Sequence, residues 1–159
     1  LLKDHTYKVT ITWTGNNGRG TASYHAYERS HTIQVTNKET IQASSDPAFK
    51  GDYTKHNPEE LLLASVSSCH MLWFLHLCSV AGIVVLDYTD TATGTMTELE
   101  NGSGKFTGIT LHPRVTIRDA AQLSLLQNLH AEANRFCFIA NSLNFTVHHQ
   151  AEGKVVSSF

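Results

Sequence analysis

The chain has 159 residues, 41% of them hydrophobic and 16% charged. That composition excludes a disordered chain and fits one domain, 1–159, large enough to bury a core. A net charge of -2 argues against nucleic acid or an acidic membrane surface as the partner.

Residues 7–13 alternate and predict a strand. A glycine turn at 16–20 follows, then weakly alternating stretches at 21–29 and 30–35, a turn at Asn37-Lys38, and a short strand at 40–42. These make an N-terminal antiparallel sheet. Residues 44–56 are rich in turn formers and predict a loop. Asn57 then caps a long helix. Pro58 suits its first position, Glu60 completes a capping box, and Glu59 favours the positive end of the helix dipole. Gly82 is the expected stop. Residues 61–86 contain no charged side chain, a length able to span a bilayer. Ser65, Ser67, Ser68, His70 and His76 within the run point instead to a soluble helix buried on most faces.

After Gly82, strands are predicted at 83–92, 93–100 and 105–117, with a hairpin turn at 101–104. Asp119 and Gln122 form a second capping-box pattern. Leu123, Leu126, Leu129 and Ala133 mark one face of a helix reaching to about residue 135. A short helical piece at 136–142, a last strand at 144–150 and a tail around Gly153 complete the chain.

The chemistry centres on three cysteines, Cys69, Cys78 and Cys137. An odd number at irregular spacing does not make a secreted disulfide framework. With no basic-then-apolar leader at Leu1, a cytoplasmic location is expected. Cys69 and Cys78 lie nine residues apart on one helix. That separation turns about 180° and rises ~13 Å, so the two face opposite ways and cannot pair. Cys137 is the one intrachain partner open to either. Cys78 sits between bulky apolar residues and reads as a core thiol. Cys69 sits in a small, polar patch with Ser65 and Ser68, which leaves room for a substrate. There is no C-x-x-C or H-x-x-x-H spacing for zinc, no G-x-S-x-G elbow for a serine hydrolase, and no phosphate-binding glycine loop. No metal and no cofactor are expected.

The run Asn57-Pro58-Glu59-Glu60-Leu61-Leu62 into Ser68-Cys69, then Ala81-Gly82-Ile83, then Cys137 after a second helix, resembles the OsmC/Ohr family of thiol-dependent hydroperoxide reductases. The resemblance covers nearly the whole chain. It implies an α+β fold in which two antiparallel β-sheets wrap two long central helices of an intertwined homodimer. It implies a peroxidatic Cys69 and a resolving Cys137, with an external dithiol as reductant and an organic hydroperoxide as substrate. It also implies an arginine that activates Cys69, held by the glutamate of the N-P-E segment, here Glu59. Glu59 lies ~15 Å from Cys69 along the helix, so it positions the arginine and does not touch the thiol. Arg29 is preferred to Arg19 for that role. Arg19, His70 and Trp73 are the candidate substrate contacts, with a packed, hydrogen-bonded histidine the preferred reading of His70 and a mainly core role that of Trp73, and His130 is expected to be structural. His70 stands where better-studied members often carry an aromatic residue, which leaves the peroxide and the reductant open. Two other functions fit the same residues: a dimer binding an apolar ligand with inert cysteines, and a metal-binding protein using Cys and His.

Overall fold

The computed structural model describes residues 2–156. The chain divides into two compact units, Leu1–Leu62 and Leu63–Phe159.

The first unit carries an antiparallel three-stranded sheet of β1 (Thr10–Trp13), β2 (His31–Gln34) and β3 (Ile41–Ala43), in that order. The predicted strand at 21–29 is a run of turns. Backbone bonds such as Ala22 N–H to Arg19 O and Ala26 N–H to Ser23 O close the chain on itself there. Gly15 is required where this loop returns. A Cβ at that position would lie 2.0 Å from Glu28 O.

Helix α1 (Pro58–Val80) begins as its capping residues dictate. Asn57 Oδ1 accepts from Glu60 N–H at 2.8 Å, and Glu60 Oε2 accepts from Asn57 N–H at 3.3 Å. Gly82, with φ of 70°, turns the chain out of the helix. By length and composition alone α1 is able to cross a membrane. Its buried residues are Val66, His70, Phe74 and Cys78, one every fourth position, so one stripe of the helix is packed into a core.

The second unit adds β4 (Val85–Asp90), β5 (Thr93–Glu98), β6 (Gly104–Leu111) and β7 (Pro113–Ile117). These are followed by α2 (Leu126–Phe136), α3 (Phe138–Asn141), β8 (Val147–His149) and β9 (Glu152–Val155). It holds two three-stranded sheets, ordered β4-β7-β9 and β5-β6-β8. Each contains one antiparallel and one parallel pairing, so the antiparallel expectation is corrected for β8 and β9. The single strand expected at 105–117 is two strands in different sheets. Pro113 brings no N–H to a ladder, and the His112 N–H goes to the Asp90 carboxylate at 2.7 Å instead of to a strand.

The helix expected from Asp119 also differs. A 3-10 turn over Ala120–Leu125 precedes α2. Asp119 Oδ1 accepts from Ala121 N–H at 2.9 Å, and the Gln122 amide donates to Gly82 O at 3.4 Å, so the second capping box does not form.

The core of this unit has two parts. Phe74, Cys78, Ile83, Val115, Ile117, Leu126 and Ala133 make one, and Val66, Ile109, Leu111 and Val147 the other. Each fully buried large side chain contributes about 1.5–3 kcal/mol of transfer free energy. The α1 stripe joins both parts, which fixes the outward direction of its other faces.

Candidate functional site

Cys69 lies one position before the buried stripe of α1 and is partly exposed, while Cys137 is wholly buried. All three cysteines are free thiols. Cys137 stands at the break between α2 and α3, with extended backbone (φ -65°, ψ 108°). At that break the Cys137 thiol lies close enough to Cys69 for the two groups to interact electrostatically. Burial first, and the neighbouring Cys69 second, push the Cys137 thiol up to about 11, so Cys137 keeps its proton near pH 7. Its Sγ also accepts from Ala140 N–H at 3.4 Å. Cys78 is 1% exposed, and burial alone pushes it up to about 11. It is a core thiol, out of the pair's reach on the opposite face.

Trp73 follows Cys69 by one helical turn and meets both residues that flank Cys137. Its ring stacks on Phe136, with centroids 5.1 Å apart, and takes Phe138 edge-on at 5.6 Å. Beside it lies a shallow hollow of about 330 Å³ lined by Leu72, Trp73 and His76.

His70 does not share this surface. It is fully buried, and its Nε2 makes a 3.0 Å hydrogen bond with Nδ1 of His130, the two rings coplanar within 1°. The structure thus places His70 in the core, where no substrate meets it. Burial first, and His149 second, lower His70 to about 4; burial, then His70 and His149, lower His130 to about 3. Both rings are therefore neutral near pH 7. A separate polar cavity of about 380 Å³ is lined in part by Gln127, His130, His149 and Gln150. Among the described residues, no group of three His, Cys, Asp or Glu side chains is arranged to hold a metal.

In the first unit the two candidate arginines differ sharply. Arg29 is clamped. Its Nη1 donates to Tyr27 O at 2.6 Å and its Nη2 to Tyr24 O at 2.7 Å, with both tyrosine rings about 4.2–4.3 Å from the guanidinium carbon. Arg19 is exposed in the glycine turn, between Gly18 (φ 91°) and Gly20 (φ 53°). Neither arginine forms an ion pair with Glu59 among the described residues. One oxygen of Glu59, Oε2, is buried without a hydrogen-bond partner.

Two groups were missed in the sequence. Phe136 and Phe138 bracket Cys137, and Tyr24 and Tyr27 enclose Arg29. An aromatic residue beside each reactive group was the available signal, but aromatics in a 41% hydrophobic chain read first as core.

A family model described as OsmC-like protein matches residues 50–152. No curated protein matches. Among solved structures, an OsmC-like protein of unknown function from Vibrio cholerae is 28% identical, with TM-score 0.84, covering 94% of this chain and 100% of that one. An organic hydroperoxide resistance protein from Elizabethkingia anophelis is 20% identical, with TM-score 0.69 over 96% and 100% of the two chains. The organic hydroperoxide resistance protein OhrB of Bacillus subtilis is also 20% identical, with TM-score 0.62 over 94% and 98%. The α+β arrangement is that of OsmC and Ohr structures. With its match over residues 50–152, the chain belongs to the OsmC-like family.

Proposed function

We propose that this protein is a cysteine-based peroxidase that reduces organic hydroperoxides. The observation that carries the reading is the Cys69–Cys137 pair: one residue partly exposed, the other buried with its thiol protonated, and the two close enough to interact electrostatically. Two solved relatives named as organic hydroperoxide resistance proteins support the substrate class.

In this reading the Cys69 thiolate attacks the outer oxygen of the peroxide. The O–O bond breaks, an alcohol leaves with one proton, and Cys69 becomes a sulfenic acid. Cys137 then displaces the hydroxyl. The S–S bond forms, and the Cys137 proton departs with the hydroxyl as water. An external dithiol reduces the disulfide and restores both thiols. No metal and no cofactor take part.

A cation is needed to favour the thiolate and polarise the peroxide. Arg29 is assigned that role. Its two tyrosine rings and two carbonyls hold the guanidinium in one orientation without neutralising it. The unpartnered Glu59 Oε2 is the acceptor that would hold such an arginine during turnover. Arg19, exposed in its turn, is the second choice.

The protein is proposed to work as a cytoplasmic homodimer. Leu72 on α1 is 62% exposed and Val80 at its end 74%, an apolar surface suited to a second copy. The experiment is steady-state consumption of cumene hydroperoxide with dithiothreitol as reductant. Wild-type protein should turn over, and Cys69→Ser should be inactive. Equal activity in Cys69→Ser would sink the reading. Retained activity in Arg29→Ala alongside loss in Arg19→Ala would reassign the arginine.

A further inference from the structure

Trp73 has a position that its distance from Cys69 along the chain does not by itself explain. The two residues are one turn apart on α1, so their side chains leave the same side of the helix. Cys69 interacts electrostatically with Cys137, and Trp73 packs on the residues to either side of Cys137. The indole lies nearly parallel to the Phe136 ring, at 22°, and nearly perpendicular to Phe138, at 83°. On Phe136, the Arg135 guanidinium also packs, 4.1 Å from the ring centre, and its Nη2 is anchored to Glu132 at 2.7 Å.

Cys137 needs such support. It occupies the single extended residue between α2 and α3. Its N–H bond to Asn134 O is long, at 3.4 Å, so the end of α2 holds it weakly. On the α3 side its carbonyl accepts from Asn141 N–H at 3.0 Å and its Sγ from Ala140 N–H at 3.4 Å, while its two aromatic neighbours are both held by the same indole. Aromatic pairs in these geometries contribute about 0.5–1.5 kcal/mol each beyond their buried area.

We propose that Trp73 is a positioning residue for the disulfide-forming step: through Phe136 and Phe138 it holds the Cys137 thiol on Cys69, so that a sulfenic acid there is captured before a second peroxide reaches it. This rests on the peroxidase reading above. It gives a specific task to a residue otherwise expected to be mainly core.

The sulfenic acid has two fates. Attack by Cys137 forms the S–S bond and releases water. Attack on a second hydroperoxide carries the sulfur to sulfinic acid and releases another alcohol, an outcome a simple dithiol does not reverse. The first is intramolecular, so its rate depends on how fully the thiol is held in line. Freeing the Phe136–Phe138 segment lowers that rate and leaves the competing one unchanged.

The test follows both steps on the full-length protein after mixing with cumene hydroperoxide. Cys69 oxidation is read by dimedone trapping and mass spectrometry, and the disulfide and sulfinic acid by quenched time points. Trp73→Leu is expected to keep the rate of Cys69 oxidation within about twofold, slow disulfide formation about tenfold or more, and raise the sulfinic product. Trp73→Phe should restore most of the disulfide rate. Phe138→Ala, at a residue 69% exposed and so tolerant of truncation, should slow the same step by about threefold and keeps the test available if Trp73→Leu does not fold.

Disulfide formation at the wild-type rate in Trp73→Leu, or in Phe138→Ala where that is the folded variant, would overturn the proposal. So would a defect confined to the first step, which would mark Trp73 as a substrate contact. Failure of the wild-type protein to lose any thiol would overturn the peroxidase reading itself, and this role with it.

Discussion

Two adjacent faces of one helix treat the same chemistry in opposite ways. Along the inner stripe of α1, Cys78 is a thiol pushed up to about 11 with no partner, and His70 is an imidazole lowered to about 4 by burial. One residue before that stripe, Cys69 is partly exposed and interacts electrostatically with a second thiol, with Trp73 one turn on. A step of 100° around the helix separates structural groups from reactive ones. Residue type therefore says little about role on this helix; the face says most of it.

The inner face should show the largest stability effect. Phe74 is fully buried, stacked on His130 with ring centres 3.8 Å apart and tilted against Tyr88 at 5.9 Å. Phe74→Ala should cost about 3–5 kcal/mol, checked by urea denaturation. A loss under about 1 kcal/mol would mean that this face is not the packed one.

A second way to sharpen the contrast is pH. Both His70 and His130 have folded values depressed below their ordinary 6.5, so the unfolded chain binds more protons as pH falls. The stability they contribute as neutral groups is complete above pH 6.5. It is lost as pH falls toward about 4 for His70 and about 3 for His130. The melting temperature should fall between pH 7 and 4.5. The double variant His70→Leu/His130→Leu, which removes both ends of the buried hydrogen bond together, should flatten that slope. An unchanged slope would show that neither ring titrates on unfolding.

The start of α1 was legible in the sequence because it is local: Asn57, Pro58 and Glu60 specify a cap within one turn, and the cap forms as read. The opposite faces of Cys69 and Cys78 followed from helical period alone. What was not legible depended on distant partners. His112 looked like mid-strand until Asp90, far away in sequence, took its N–H. The parallel pairing of β8 with β6 and of β9 with β7 joins segments separated by two helices, and no local pattern encodes it. The same holds at the site. His70 was read as a packed, hydrogen-bonded histidine before a substrate contact, and it is buried so, but its partner His130, sixty positions on, could not be read from the sequence.

The smallest expected effect is at the third thiol. Cys78→Ala should leave peroxide turnover within about twofold of wild type, because its only environment is core, and should cost no more than about 1–2 kcal/mol of stability. Activity lost in this variant while folding is kept would place the chemistry on the wrong face.

The most direct measurement is disulfide mapping after one equivalent of cumene hydroperoxide, by alkylation, proteolysis under non-reducing conditions and mass spectrometry. The account predicts that two thiols per chain disappear, that one cross-linked peptide joins Cys69 to Cys137, and that Cys78 remains free to alkylate. A disulfide that includes Cys78, or three thiols left intact, would contradict it.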